Sequence, residues 1–192
     1  FEAAQKALRR AVLLEPGAAE PYRLLGQVYL RQGKDETGEK ALGVYEKVKV
    51  FEKDVELYRE RLLHDPDDAE AHYSLGYIYG RLGFLPKALP HYQRTVEINP
   101  AHIRAHNNIG NIYLRLNMFD PAVAAYEQVL ALDSTYASGL ANMGQAHLAQ
   151  GQFTPALEYL KRAETQEPGR REVHLALAET YRQLGQAANS EK

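Results

Sequence analysis

Between Lys34 and Asp65 the apolar residues keep a strict rhythm. Ala41, Val44, Val48, Phe51, Val55, Tyr58 and Leu62 follow one another in alternating steps of three and four. That spacing lays them along one stripe of a helix, and no proline falls among them to break it. The pattern predicts one helix from about Thr37 to His64, roughly 40 Å long at the usual rise per residue. Gly38 and Gly43 are poor helix residues and are expected to shift its start. Elsewhere the pattern predicts shorter helices at 1–14, 19–32, 69–82, 85–98, 103–116, 119–132, 137–150, 153–166 and 171–184.

These short helices recur at a fixed step. The pairs Leu25-Gly26, Leu75-Gly76, Ile109-Gly110, Met143-Gly144 and Leu177-Ala178 are separated by 50, 34, 34 and 34 residues. Other columns hold the same register. Three residues beyond each small residue stand Tyr29, Tyr79, Tyr113, His147 and Tyr181. Four further on come Gly33, Gly83, Asn117, Gly151 and Gly185, types that accept a left-handed backbone where a helix ends. Small residues follow at Ala88, Ala122 and Ala156, then Tyr92, Tyr126 and Leu160. Each unit closes near Pro66, Pro100, Ser134 or Pro168. A single helix pair of this size cannot bury its apolar face, so neighbouring pairs must stack.

On these columns the chain resembles the tetratricopeptide-repeat family. The resemblance covers nearly the whole sequence. It implies an all-α fold, a right-handed superhelical solenoid of antiparallel helix pairs, interrupted by the long helix around residues 37–64. Complete repeats are expected at 69–102, 103–136 and 137–170, with a terminal helix at 171–184. The step of 50 carries 16 residues more than the others, and these break the regular stack. The sequence therefore suggests an N-terminal block at 1–50, made of half a repeat plus one repeat, and a C-terminal block at 51–192.

Two readings of the long helix stay open. It caps one block and begins the next, or its stripe of Val44, Val48, Phe51, Val55, Tyr58 and Leu62 is a seam between two copies of the chain, by pairing or by helix exchange. The chain opens halfway through a unit, so an apolar face at its start calls for upstream residues or a partner.

Composition narrows the function. The formal charge of −2 and the lack of a long basic run argue against nucleic acid and anionic lipid. No apolar run approaches the length of a membrane span, so no membrane insertion is expected. The chain has no cysteine, which removes disulfides, thiolate metal sites and thiol catalysis but leaves cytoplasm and periplasm equally open. Phe1 opens the sequence without a signal peptide ahead of it, and the sequence reads as part of a longer one.

No motif carries catalytic chemistry. The glycines are spaced by the repeat, not as a phosphate loop or nucleophile elbow. His72, His106 and His174 share one repeat position, which packing between helices explains. His102 and His106 have metal-compatible spacing, but no carboxylate or thiol accompanies them at a characteristic distance. The expectation is a non-catalytic protein with no cofactor and no metal site.

The family resemblance places the first helix of each pair on the concave, partner-binding surface. Carried over residue by residue, it points to Tyr73, Tyr77 and Arg81 in one unit and to Arg104, Asn107, Asn108, Asn111 and Arg115 in the next. Asn142 and Gln145 follow in the unit after. Asn108 and Asn142 occupy the same position in adjacent units, a short amide ladder suited to a peptide backbone. Arg81, Arg104 and Arg115 are candidates for a cluster holding an acidic group. Tyr73 and Tyr77 offer amphipathic surface. The lysine and arginine clamp of the chaperone-tail-binding members is missing, since the matching positions are Tyr73, Tyr77, Asn108, Ser138 and Asn142. The sequence thus predicts a scaffold for a protein or peptide segment. The alternatives are self-association as a homodimer, or a regulatory segment of a larger enzyme.

Overall fold

The computed structural model describes the backbone of residues 1–190 and the side chains of residues 1–185. Among the described residues it holds ten α-helices and no strand. They are α1 (Glu2–Leu14), α2 (Glu20–Arg31), α3 (Asp35–His64), α4 (Ala69–Leu82) and α5 (Leu85–Ile98), followed by α6 (Ile103–Arg115), α7 (Phe119–Leu132), α8 (Ala137–Ala149), α9 (Phe153–Gln166) and α10 (Arg171–Ser190).

Local chemistry accounts for the boundaries. Gly33, Gly83 and Gly151 follow α2, α4 and α8 with φ of 70°, 83° and 74°, and Asn117 follows α6 with φ of 57°. Those positive values need a residue without a branched or bulky side chain. At the start of α4 the Asp68 carboxylate accepts the Ala71 N–H, a side-chain cap that stands in for a missing helix bond. Gly185 behaves differently from its column: it lies inside α10 and closes nothing.

Helix pairs meet where the repeat puts its smallest residues. A β-carbon added at Gly26 would come within 2.8 Å of Leu42, at Gly110 within 2.4 Å of the Tyr126 ring, and at Gly144 within 2.6 Å of Leu160. Each covering side chain lies sixteen residues after the glycine it covers. Gly38, expected to disturb the long helix, is instead a second small residue at a crossing, its would-be β-carbon 3.1 Å from the Gly26 carbonyl. Helix α3 therefore starts at Asp35 with Gly38 inside it. The last small residue of the column, Ala178, is exposed on α10.

The chain falls into two compact units, Phe1–His91 and one beginning at Tyr92. This replaces the boundary expected at residues 50 and 51, which would cut α3 in the middle. In the first unit α1 packs on α2, α2 on α3 and α3 on α4. Val48 joins Ala19 and Tyr22 in a buried cluster edged by Val12, Leu82 and Phe84. Both halves of α3 are thus tied to the same body. In the second unit α6 to α10 follow as successive neighbours, and α6–α8 and α8–α10 also touch. Its core gathers Ala122, Tyr126, Met143 and Ala146, then Leu140, Leu160, Ala163, Val173 and Leu177.

Candidate partner-binding face

The first helices of the second unit carry a polar stripe. Arg104, Asn108, Asn111 and Arg115 on α6 stand at i, i+4, i+7 and i+11, which brings them to one side of the helix. Beside it, Asn142 of α8 turns its amide toward α6. Its Nδ2 donates to Asn107 Oδ1 and to Asn111 Oδ1, each at 2.9 Å. Asn111 Oδ1 also accepts the Tyr126 hydroxyl at 2.8 Å. Tyr126 is fully buried, and burial drives its pKa well above the ordinary phenol value, so it remains a donor. Asn107 is itself only 8% exposed and Asn111 and Asn142 are half-buried, and the three amides are paired with one another.

This arrangement redraws the expected ladder. Asn108 and Asn142 do not stand as equivalent free amides, because Asn142 spends its N–H groups holding α8 against α6. Asn108, Arg115 and Gln145 are left without a hydrogen-bond or ion-pair partner among the described residues, and Asn108 and Gln145 are half-buried. Of the arginines expected to cluster, Arg104 and Arg115 do not come together. Arg104 and Arg115 lie eleven residues apart on α6, about 16 Å along the axis. Arg81, in the first unit, donates to the Tyr77 hydroxyl at 3.3 Å and lies 5.9 Å from the centre of that ring.

In the first unit the α3 stripe is spent inside the chain. Val48 is fully buried and Val55 is 2% exposed. Gly17, in the α1–α2 turn, lies against Val55. A flat seam between two copies would need both valines uncovered, so the stripe is a contact within one unit. Ala41, Val44, Phe51, Tyr58 and Leu62 are half-buried along the same helix.

Two sets of residues that the sequence assigned to different roles come together here. Phe51, Asp54 and Tyr58 of α3 and Tyr73, Tyr77 and Ile78 of α4 line one pocket of about 200 Å³. Ile78 is 4% exposed, whereas Tyr77 is 43% exposed and stands at its rim. Sequence reasoning placed Phe51 and Tyr58 on a self-association seam and passed over Asp54. The signal was available: Phe51, Asp54 and Tyr58 at i, i+3 and i+7 share a face, as do Tyr73 and Tyr77 at i and i+4.

The histidines serve the turns. His72 Nε2–H donates to the Pro66 carbonyl at 3.1 Å, His106 Nε2–H to Pro100 at 2.9 Å, and His174 Nε2–H to Pro168 at 2.6 Å. The carbonyl can only accept, so Nε2 of each ring carries a proton. His102 caps α6, its Nδ1 accepting the Ala105 N–H at 3.2 Å. Both members of the His102–His106 pair are thereby engaged with the backbone. No helix among the described residues is long and apolar enough to cross a membrane.

Models described as tetratricopeptide repeat match residues 1–46, 67–135 and 147–192. No curated protein sequence matches the chain. Among solved structures, the first repeat domain of Spaghetti (RPAP3), bound to the HSP90 peptide SRMEEVD, is 22% identical with a TM-score of 0.60 over 63% of this chain and 96% of its own. The first such domain of human RPAP3 is 23% identical, with a TM-score of 0.61 over 65% of this chain and 98% of its own. MamA is 21% identical with a TM-score of 0.56, covering 85% of this chain and 86% of its own.

Proposed function

This chain belongs to the tetratricopeptide-repeat family, and from that premise we propose that it is a non-catalytic binding module whose first-helix faces hold an extended or helical segment of a partner protein. The observation that carries the reading is the α6 stripe. Asn108 and Arg115 on α6, with Gln145 on α8, have no partner of their own among the described residues. The Asn142 amide network braces the helices on which they stand. Polar groups held on a rigid frame and left unpaired cost little to reorganise when a ligand arrives. On α4, Tyr73, Tyr77 and Arg81 add aromatic and cationic surface of the kind enriched at interface hot spots.

The reading is tested by capture of a partner followed by crosslink mapping. Crosslinks are expected on α4, α6 and α8. A variant carrying Tyr77→Ser, Arg104→Gln and Asn108→Ala should weaken capture at least about tenfold, the scale of one lost hot spot. Its helix content and melting temperature should stay near those of the parent. Full affinity in that variant means the faces are wrongly assigned.

One observation favours self-association as a second reading, though not through the stripe first considered. Val50 is 72% exposed and Leu57 is 51% exposed, seven residues apart on α3. Light scattering on the parent chain and on Val50→Lys with Leu57→Lys separates the two: a monomeric parent removes this reading.

A further inference from the structure

We infer that the pocket between the C-terminal half of α3 and α4 receives one cationic side chain, arginine or lysine, of the partner segment; the inference rests on the binding-module reading and gives it a chemistry. Four aromatic residues, Phe51, Tyr58, Tyr73 and Tyr77, line the pocket together with the almost fully buried Ile78. Aromatic faces carry negative electrostatic potential and attract a cation placed over them, more strongly where water is excluded.

Asp54 supplies the one formal charge in that lining. Among the described residues its carboxylate has neither an ion pair nor a hydrogen bond. A carboxylate left unpaired beside four aromatic rings matches an ammonium or guanidinium group and repels an anion. The volume of about 200 Å³ suits a single side chain and cannot seat a helix.

The chain already shows how these rings treat cations. Arg61 lies 5.6 Å from the centre of the Tyr58 ring and Arg81 lies 5.9 Å from that of Tyr77. Arg61 is neutralised by Asp68 at 2.6 Å. Arg81 has no carboxylate partner among the described residues, so its charge opposes an incoming cation. Removing that charge should tighten cation binding and weaken anion binding. The sign of this one effect separates the two ligand classes.

The test is a titration of the full chain, labelled with ¹⁵N, with three capped tripeptides: Gly-Arg-Gly, Gly-Lys-Gly and Gly-Glu-Gly. The basic peptides should shift amides of residues 51–58 and 73–78 in a saturable way that fades at high salt, while the acidic peptide leaves them in place. Asp54→Asn should weaken the basic peptides about fivefold, and Arg81→Gln should tighten them about twofold, as expected for one partly screened charge each. Asp54 and Arg81 are exposed, and unshifted amides in α1 and α2, which belong to the same unit, report that both variants stay folded. The inference is overturned if the acidic peptide shifts this set, if Asp54→Asn leaves basic-peptide affinity unchanged, or if the basic peptides shift only α6 and α8. That last result would still favour the binding-module reading. Conversely, a responsive pocket in a chain whose triple variant, which replaces the lining residue Tyr77, keeps full partner affinity would be a cation pocket that the partner does not use, and would overturn the inference together with the wider reading.

Discussion

His106 reaches back six residues to the carbonyl of Pro100, its Nε2–H donating at 2.9 Å. The same step joins His72 to Pro66 and His174 to Pro168, and Tyr22 makes it with its hydroxyl to Pro16 at 3.3 Å. In the remaining unit the column holds Leu140, which has no donor. There the equivalent carbonyl, Ser134, accepts instead from Arg162 at 3.1 Å. A turn after a helix leaves carbonyls outside the helical ladder. Five units satisfy one of them by three different side chains, so the column serves hydrogen bonding as well as packing.

Replacing His106 should then depend on whether the new side chain can donate. His106→Leu is expected to lower stability by about 1 kcal/mol, the usual net worth of such a bond. His106→Tyr follows the precedent of Tyr22 and should cost less than half as much. Urea unfolding of both variants checks this. Equal losses would mean that the ring matters only for its bulk.

The covered glycines should differ in how well they tolerate a methyl group. At Gly110 the new β-carbon would meet the flat Tyr126 ring at 2.4 Å, and that ring is fully buried and bonded to Asn111. At Gly144 it would meet Leu160 Cγ at 2.6 Å; that side chain is as buried as the ring but is aliphatic and can turn to another rotamer. Overpacking costs about 1–3 kcal/mol, while alanine returns about 1 kcal/mol of helix propensity. Gly110→Ala is expected to lose about 2 kcal/mol net and Gly144→Ala less than about 1 kcal/mol, read from thermal unfolding.

Those glycines also mark how far the sequence could be read. Helix bounds such as 85–98, 119–132 and 153–166 coincide with α5, α7 and α9, because each is set by local signals repeated in register. Relations between helices were legible only where the repeat itself imposes them, as between Gly110 and Tyr126. The Asn142 network escaped because it depends on its neighbours. The positions one unit before Asn107 and Asn111 are Tyr73 and Tyr77, so equivalence of Asn108 with Asn142 does not carry the bonds across. The pocket escaped for another reason. Which face of α3 meets α4 depends on the phase of a helix longer than its counterparts, and no repeat column reports that phase.

Removing the Asn142 amide should destabilise the fold as well as any interface. Asn142→Ala leaves the buried Asn107 oxygen without its donor and takes one of two from Asn111. An unsatisfied buried acceptor costs about 1–3 kcal/mol. A double-mutant cycle of Asn142→Ala with Asn107→Ala should recover part of that loss, since the second change removes the orphaned group. Strict additivity would show that the two amides do not depend on each other. Weakened binding by Asn142→Ala alone would therefore not identify a contact with the partner.

Acid should loosen the first unit through His91. Its Nδ1–H donates to His72 Nδ1 at 3.0 Å, because His72 keeps its own proton on Nε2 for Pro66. The ring also stacks on Tyr79. Burial, and then the charges available to His72, Arg59 and Lys87, lower the His91 pKa from 6.5 to about 4. Between those values the unfolded chain binds a proton that the folded chain refuses, so stability rises with pH. The contribution is fully present above pH 6.5 and is lost as the pH falls toward 4, about 2 kcal/mol after allowance for the partly exposed ring. His91→Gln should flatten that part of the curve even if it is less stable at pH 7. Carboxylates also titrate near the lower end, so the comparison is the difference between parent and variant, measured by urea unfolding from pH 7 to pH 4.5. An unchanged difference across that range would place the acid sensitivity elsewhere.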